Sequence, residues 1–517
     1  MTINKILKKS FYIIFLCLFS YLVINIPIKR VSVYHEINPS IYILVSLLIL
    51  IVWFILYKLT SKVFEKISKR KKIILYIITL TLIFSIQILV AFILDVPLGW
   101  DFKFIYTQAR DFVMERVPIS MSGNPYYFQY FPNNIFLYCI LVILFSIGKL
   151  INITDFICIG VTVNIIIIFL TILFTFLYIQ KKFGNKNAYF SLITFLFFIP
   201  LFLYIPIFYS DTFSIIFIPL LLYISTFFEE DSKIKRIIAY CIFGILTFIG
   251  YKIKMTVIFI PLSIIISNFL SKNYKVMITT SISIAVSILT FGSLFSHIFI
   301  EKDILHIKID DYGSIPYTHW IMMGIEDKDY DNSGRNSYGG YNYDDYLKTQ
   351  SFTTNKEASK FHIKEIGNRI KKYGIIGYLN YLTKKAVNAW GDGNYFAAIK
   401  LKWENYNSGS LQKIISGNDN YHIMIYLNCA VQFAFLLLLI YSFARSIKRK
   451  DDNLIVIQLS ISMLFIFLLF WENRSRYLYN YIPLFVIIVT NGVEKINQYY
   501  INYIKEKNKG VKYARKK

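Results

Sequence analysis

A short acidic turn, Leu94–Asp101, holds the two carboxylates of this chain that are best placed for chemistry. Asp95 and Asp101 follow a long apolar segment, and a proline, a glycine and Trp100 lie between them. Proline and glycine fix turns, so two carboxylates held in this way favour a shaped site where proton transfer or cation binding is possible. The alternative is a polar loop edge, in which Asp95 only ends the helix.

Two arginines occupy the short polar segment Trp471–Tyr477, between two apolar segments. The planar guanidinium groups of Arg474 and Arg476 suit a phosphate at a boundary between water and lipid. The alternative is that both side chains extend to lipid headgroups.

Two lysines, Lys252 and Lys254, lie between apolar segments with almost no loop. A charge at such a position needs a partner. That partner is a lipid phosphate, a carboxylate such as Asp211 or Asp101, or water.

Aromatic residues alternate with Asp, Asn and Gly in the polar segments. Ring faces stack on sugars and carboxamides bind hydroxyl groups, so this composition favours sugar recognition, although it also describes an ordinary compact loop. The candidate sugar- or acceptor-binding residues are Trp100, Tyr130, His319, Trp320, Trp390 and Asp392.

Known cofactor motifs do not occur. The sequence contains no Walker loop, dinucleotide fingerprint or HExxH motif, and its six histidines form no cluster. The pair Asp344 and Asp345 is a candidate for a divalent cation such as Mg²⁺ or Mn²⁺, but EF-hand spacing is lacking. We therefore assign no metal ligands and no definite cofactor.

The elements that position these residues are membrane helices. The 517-residue chain is 56% hydrophobic and has a mean hydropathy of +0.52, which is too apolar for a soluble globular protein. Apolar segments of spanning length are expected at 11–28, 40–59, 72–94, 157–180, 187–207, 212–228, 237–251, 254–270, 276–298, 423–444, 453–470 and 477–495.

Charge distribution orients these segments. The net charge of +25 arises in connecting loops rather than in a nucleic-acid-binding patch. The linker 58–72 has seven basic residues and one acid, whereas 299–422 has sixteen basic and fifteen acidic residues. The positive-inside rule thus places the linker and both termini in the cytoplasm, if segment 133–150 lies at the interface and does not cross.

The resulting prediction is an all-α polytopic protein of the cell membrane, with twelve spanning helices and one interfacial helix. Residues 1–298 form a transmembrane region whose first external loop is 95–132. Residues 299–422 form a mostly helical external domain, 423–496 the last transmembrane helices and 497–517 a basic cytoplasmic tail.

The order of these motifs resembles the polytopic GT-C glycosyltransferases, which use polyprenyl-phosphate-linked sugars outside the cytoplasm. The resemblance is greatest to the Gram-positive integral membrane members related to protein mannosyltransferases and aminoarabinose transferases. It rests on Gly99–Asp101, Tyr130–Asn134, Tyr209–Thr212, Gly250–Thr256 and Arg474–Tyr477.

The resemblance implies roles for several residues. Asp101, or less favourably Asp95, would act as general base or position a metal ion, and Asp211 would be the second acid of the cleft. The carrier phosphate would contact Lys254 and either Arg474 or Arg476, with Lys252 as a further candidate.

The expected activity is therefore transfer of a sugar from a polyprenyl phosphate to a cell-envelope glycan or a lipid-linked acceptor, with inversion at the anomeric carbon. The alternatives are a lipid-linked glycan flippase or export protein, and a non-enzymatic envelope accessory protein.

Overall fold

The computed structural model describes residues 3–29, 38–115, 127–301, 313–327, 338–401 and 420–514, and within these ranges the chain is helical and contains no strand. Parts of the predicted loop 95–132 and domain 299–422, and the end of the tail 497–517, lie outside the described residues. The first half contains α1 Ile3–Lys29, α2 Pro39–Lys66, α3 Lys69–Ile93, α4 Trp100–Glu115, α5 Tyr127–Tyr130, α6 Ile135–Leu150, α7 Phe156–Phe183, α8 Asn185–Phe195, α9 Ile199–Leu203, α10 Ser210–Ile215 and α11 Phe217–Ser225.

The second half begins with α12 and α13, which are joined by the 3₁₀ turn Met255–Ile258. Its helices are α12 Lys233–Ile253, α13 Phe259–Leu270, α14 Tyr274–Phe295, α15 Tyr317–Met323, α16 Tyr343–Gln350, α17 Asn355–Trp390, α18 Ala397–Leu401, α19 Asn420–Arg449, α20 Ile455–Phe470, α21 Arg476–Tyr479 and α22 Ile482–Ala514.

Short polar side chains cap the N-termini of several long helices. Asn38 accepts a hydrogen bond from the Ser40 amide at the start of α2, and Asp155 accepts one from the Cys158 amide at the start of α7. These caps satisfy amide groups that have no partner within the helix.

Within the described ranges, eight helices are long and apolar enough to cross a membrane. They are Ile3–Lys29, Pro39–Lys66, Lys69–Ile93, Pro132–Leu150, Phe156–Phe183, Lys233–Ile253, Tyr274–Phe299 and Ile423–Arg449. Three shorter apolar helical segments, Ser210–Ser225, Met255–Leu270 and Ile455–Phe470, add to this set within the described part of the chain.

Segment 133–150 differs from the expectation of an interfacial helix. A 3₁₀ turn at Pro132–Asn134 leads directly into α6, so the chain is helical from Pro132 to Leu150. This 19-residue unit is a candidate span by its length and apolar composition.

The structure does not show twelve unbroken spans. The expected span 187–207 is divided into α8 and α9, and the expected span 212–228 is built from α10 and α11. Pro200 stands at the start of α9 and Pro219 in the first turn of α11. Proline lacks an amide donor and favours helix starts, which explains breaks that hydropathy averages over.

The described part of 299–422 folds around Arg369 of α17. Its guanidinium group contacts Asp345 at 2.6 Å and Glu326 at 3.1 Å, and it donates to the Met322 carbonyl at 2.9 Å. A guanidinium fork suits several carboxylates at once, so Arg369 joins α15, α16 and α17.

Two buried histidines lie beside this junction. His319 Nδ1 lies 2.8 Å from the Thr349 hydroxyl, and His362 Nε2 lies 3.0 Å from the same oxygen. The Thr349 hydroxyl donates to the Asp345 carbonyl, so one consistent arrangement has both histidines donating to Thr349. Burial lowers the pKa of His319 to about 3 and that of His362 to about 4.

We expect acid to destabilise this helical unit. Both histidines stay neutral in the folded protein, whereas the unfolded chain binds protons near pH 6.5, so stability is lost as the pH falls below 6.5. The loss is about 2 kcal/mol for each histidine between pH 6.5 and pH 5. The melting temperature at pH 7 and pH 5 measures it. The melting temperature of the His319→Gln variant should depend less on pH than that of the wild type. The control is His297→Gln, which changes an exposed histidine and should keep the wild-type pH dependence. An unchanged dependence in a His319→Gln, His362→Gln double variant would contradict this origin.

Candidate functional site

The centre of the candidate site is Asp211, whose side chain is 1% exposed. It lies in the first turn of α10. One carboxylate oxygen accepts a hydrogen bond from Lys254, and the other accepts one from Lys400 at 3.0 Å. Arg476 also acts electrostatically on Asp211. We call Lys254, Lys400 and Arg476 the basic cluster. One carboxylate lies among its three positive charges.

Lys254 reaches Asp211 because α12 ends beside α10. The Lys254 backbone is extended, and its amide donates to the Gly250 carbonyl at 2.9 Å. A Cβ atom at Gly250 would lie 2.8 Å from both Phe217 and Val257, so only glycine fits here without a shift. The close approach of α12 and α11 thus determines where the Lys254 side chain leaves the helix.

Lys400 is positioned by an unusual turn. Tyr395 and Phe396 have positive φ values of 49° and 65°, a conformation that costs energy for residues other than glycine. The Asp392 carboxylate stabilises the turn by accepting hydrogen bonds from the Asn394 and Phe396 amides, at 2.9 and 3.3 Å. Helix α18 follows and carries Lys400 inward.

Aromatic rings surround the Lys400 ammonium group. Its nitrogen lies 5.0 Å from the Trp100 ring centroid, 5.2 Å from that of Tyr204 and 5.3 Å from that of Tyr209. Such contacts stabilise a desolvated cation. Burial nevertheless lowers the pKa of Lys400 to about 8, and the charge of Asp211 opposes that shift.

Arg476 begins α21 and lies against the Tyr477 ring, with its guanidinium carbon 5.4 Å from the ring centroid. Its Nε atom is buried and has no hydrogen-bond partner among the described residues. The preceding residue, Ser475, donates to the Asp392 carboxylate. Asp392 therefore positions the segments that carry both Lys400 and Arg476.

Asp101 lies next to the basic cluster, separated from it by one tyrosine. The Tyr209 hydroxyl donates to Asp101 at 3.4 Å and lies 3.5 Å from the Asn134 amide oxygen. Trp100, which precedes Asp101, has a positive φ of 45° at the start of α4. Asp101 is partly exposed, whereas Asp211 is buried.

Three candidates lie outside this arrangement. The Lys252 nitrogen is 5.9 Å from the Phe248 ring centroid and 5.5 Å from that of Phe295. Asp95 is exposed, just after the end of α3. The Arg474 guanidinium packs on the Phe396 ring at 5.1 Å. Of the basic pairs, Lys254 and Arg476 are the members that the structure brings to Asp211.

The proposed sugar-binding residues separate into two groups. Trp390 is 1% exposed and packs against Phe19 and Phe465, so it offers no ring face to a ligand. Asp392 and His319 are also buried and serve the turn and the Thr349 contact described above. The side chains at these three positions pack inside the fold. Composition does not reveal which aromatic and polar residues pack inward, so the sequence did not distinguish them. Tyr130 and Trp320 are partly exposed, and Trp100 contacts Lys400.

The acidic residues do not form a set that suits a divalent cation. Both Asp211 oxygens bind lysines, and Asp345 pairs with Arg369. Within the described ranges no three His, Cys, Asp or Glu residues come together. The donor set thus does not fit Mg²⁺ or Mn²⁺, and we derive no step that uses one.

Sequence reasoning missed Lys400 and the linking position of Tyr209. The available signal for Lys400 was a lysine directly after the apolar run Tyr395–Ile399, in a segment that is otherwise polar.

Helices of membrane-spanning length and composition, packed around buried charged groups, define a helical integral membrane protein. The chain belongs to the family described as "conserved hypothetical integral membrane protein", whose model matches residues 1–496. No curated protein matches the chain, and no solved structure matches it.

Proposed function

We propose that the protein is a glycosyltransferase that moves a sugar from a polyprenyl-phosphate donor to a cell-envelope glycan or a lipid-linked acceptor. The reaction would take place on the external face of the cell membrane. Both termini would lie in the cytoplasm, an orientation that requires an even total of membrane crossings. The observation that carries the proposal is the basic cluster, where three cations lie around one carboxylate. The excess positive charge suits an anionic phosphate.

The proposed reaction is a direct displacement. The acceptor hydroxyl oxygen forms a bond to the anomeric carbon while the bond from that carbon to the carrier phosphate oxygen breaks. The phosphate leaves with the electron pair, and the basic cluster stabilises its charge. Asp101 takes the proton from the acceptor hydroxyl. A single displacement inverts the anomeric configuration.

Asp211 has a different role in this proposal from the one its sequence position suggested. Its carboxylate is 1% exposed and both its oxygens accept hydrogen bonds from lysines, and adjacent cations make a carboxylate a poor base. Asp211 serves as the counter-ion of Lys254 and Lys400 and balances part of their charge. It acts through the lysines rather than as a catalytic acid or base.

The Asp101→Asn variant tests the proposed base. We expect transfer to fall by about 100-fold or more, because general base catalysis contributes about 10² to 10⁴ in rate, while donor affinity stays within about threefold. Purified protein is assayed with a panel of polyprenyl-phosphate sugars, and transfer and donor binding are measured separately.

The matched control is Asp111→Asn, since Asp111 lies on the same helix and pairs with its neighbour Arg110. This control should retain transfer. If no donor in the panel supports transfer by the wild-type protein, the proposed activity is wrong. Equal rates for Asp101→Asn and the wild type would remove Asp101 from the mechanism.

One observation favours a second candidate, a flippase or export protein for lipid-linked glycans. The apolar segment interrupted between α8 and α9 is typical of transporters, which place substrate sites at discontinuous helices. Reconstituted vesicles distinguish the two functions, because a flippase moves a labelled lipid-linked sugar between leaflets without transferring the sugar. An accessory protein would do neither.

A further inference from the structure

A row of aromatic rings leads from Asp101 to the protein surface. Tyr209 donates to Asp101 and lies beside the Asn134 amide, which in turn donates to the Tyr127 hydroxyl at 2.8 Å. The Tyr127 ring lies 5.1 Å from that of Phe131 between centroids. Phe131 stacks on Tyr346 at 6.0 Å, and Tyr346 stacks on Tyr343 at 6.2 Å. The rings therefore connect the candidate base to helix α16.

The outer end of this row is exposed. The Tyr343 side chain is 53% exposed and that of Tyr341 is 37% exposed. Tyr341 lies 6.4 Å from Tyr346 between ring centroids. Burial raises the pKa of Tyr346 to about 12, and the negative charge of Asp101 adds to the shift. Tyr346 is therefore within electrostatic reach of Asp101.

We propose that Phe131, Tyr341, Tyr343 and Tyr346 form a carbohydrate-binding platform that receives the glycan acceptor. This inference rests on the proposed transferase function and specifies its acceptor as an oligosaccharide. Ring faces stack on the C–H surfaces of sugar rings, and tyrosine hydroxyls bond sugar hydroxyls. The spacing between successive rings is comparable to the length of one sugar residue, so neighbouring rings contact neighbouring sugars.

Polar groups of both kinds flank the platform and suit a glycan. Helix α16 begins with Asp344, which is exposed beside Tyr343, and its last turn carries the exposed Lys348. The carboxylate accepts hydrogen bonds from sugar hydroxyls, and the ammonium group donates them. The exposed amide of Asn133, next to Phe131 in the chain, adds a further group that bonds hydroxyls.

The position of the platform also fits an acceptor rather than a donor. The basic cluster, which would hold the carrier phosphate, contacts the ring of Tyr209, whose hydroxyl donates to Asp101. The platform is linked to the same carboxylate by other residues, Asn134 and Tyr127. The hydroxyl of a sugar on the platform would then meet the proposed base, while the donor phosphate contacts the cations.

The test measures binding of neutral oligosaccharides to the full-length protein in lipid nanodiscs, without donor. The probes are oligomers of glucose, mannose, galactose and N-acetylglucosamine. We expect at least one to bind, and Tyr343→Ala to weaken that binding about tenfold. Tyr343→Trp, which keeps a ring face, should restore it.

The control is Tyr317→Ala. Tyr317 is a 69% exposed tyrosine in the same polar segment, but it packs on Trp471, outside the platform. No binding to the wild type, or equal binding by Tyr343→Ala, would overturn the proposal.

Failure of the transferase proposal has a different signature. If Asp101→Asn abolishes transfer while Tyr343→Ala changes neither transfer nor oligosaccharide affinity, the platform is wrong and the transferase stands. If no donor supports transfer, the proposed function fails whatever the binding data show.

Discussion

The Lys400→Met protein should lose about 100-fold or more in affinity for a polyprenyl phosphate. The Lys400 side chain is 3% exposed. Asp211 lies on one side of its ammonium group, and three aromatic rings lie around it. A charge-assisted hydrogen bond to phosphate in such surroundings is worth about 2–5 kcal/mol when one partner is truncated. Methionine keeps most of the side-chain volume, so the change removes mainly the charge.

The measurement is the dissociation constant of the polyprenyl phosphate for protein in detergent, together with transfer kinetics. The matched control is Lys348→Met, which removes an exposed lysine from the same polar segment. It should leave affinity unchanged. An affinity for Lys400→Met within twofold of the wild type would remove Lys400 from the phosphate site.

A pH series gives a second readout of the same lysine. Burial lowers the pKa of Lys400 to about 8, so the free protein loses this positive charge as the pH rises above 8. Phosphate affinity should fall between pH 8 and pH 10. Lys400→Arg, whose side chain stays charged over this range, should bind with a smaller pH dependence.

The long helices were predictable because their apolar residues are contiguous in the sequence. Helices α2, α3 and α7 follow the hydropathy pattern closely. The interruptions were not predictable in the same way, because a window average does not register one proline. The backbone angles leave the helical region at Phe198, just before Pro200, although the surrounding residues remain apolar.

The site was predictable where a charge stands at the edge of an apolar segment. Asp211, Lys254 and Arg476 have this position, and the structure brings them together. Lys400 follows only the five-residue apolar run Tyr395–Ile399, which is too short to span a membrane, and its contact with Asp211 joins residues 189 positions apart in the chain. No local pattern encodes such a contact.

Composition also gave a wrong expectation of which residues are exposed. Trp390 and Asp392 occur in a segment with the glycines and asparagines of a binding loop, yet both are buried. Their role is visible only in the packing. Trp390 fills the core beside α1, and Asp392 holds the turn that presents Lys400.

The Asp211→Asn protein should be less stable by about 3–5 kcal/mol, because the change leaves buried lysines without their counter-ion. The melting temperature in detergent measures the loss. Asp231→Asn, which alters an exposed acid in the connection between α11 and α12, is the control and should change little. A double variant, Asp211→Asn with Lys400→Met, should recover part of the loss, since one unpaired charge is removed with the other change. Full additivity of the two losses would contradict the pairing.

The same variant distinguishes a counter-ion from a catalytic acid. If Asp211 acts only as the counter-ion of the lysines, its removal increases the positive potential of the basic cluster, so folded Asp211→Asn protein should bind a polyprenyl phosphate at least as tightly as the wild type. The ligand should then raise the melting temperature of the variant more than that of the wild type, because binding to the folded state offsets the unpaired charges. A catalytic role predicts slower transfer with unchanged ligand stabilisation. The difference between the ligand-induced rise in melting temperature of the variant and that of the wild type therefore decides which function the Asp211 carboxylate performs.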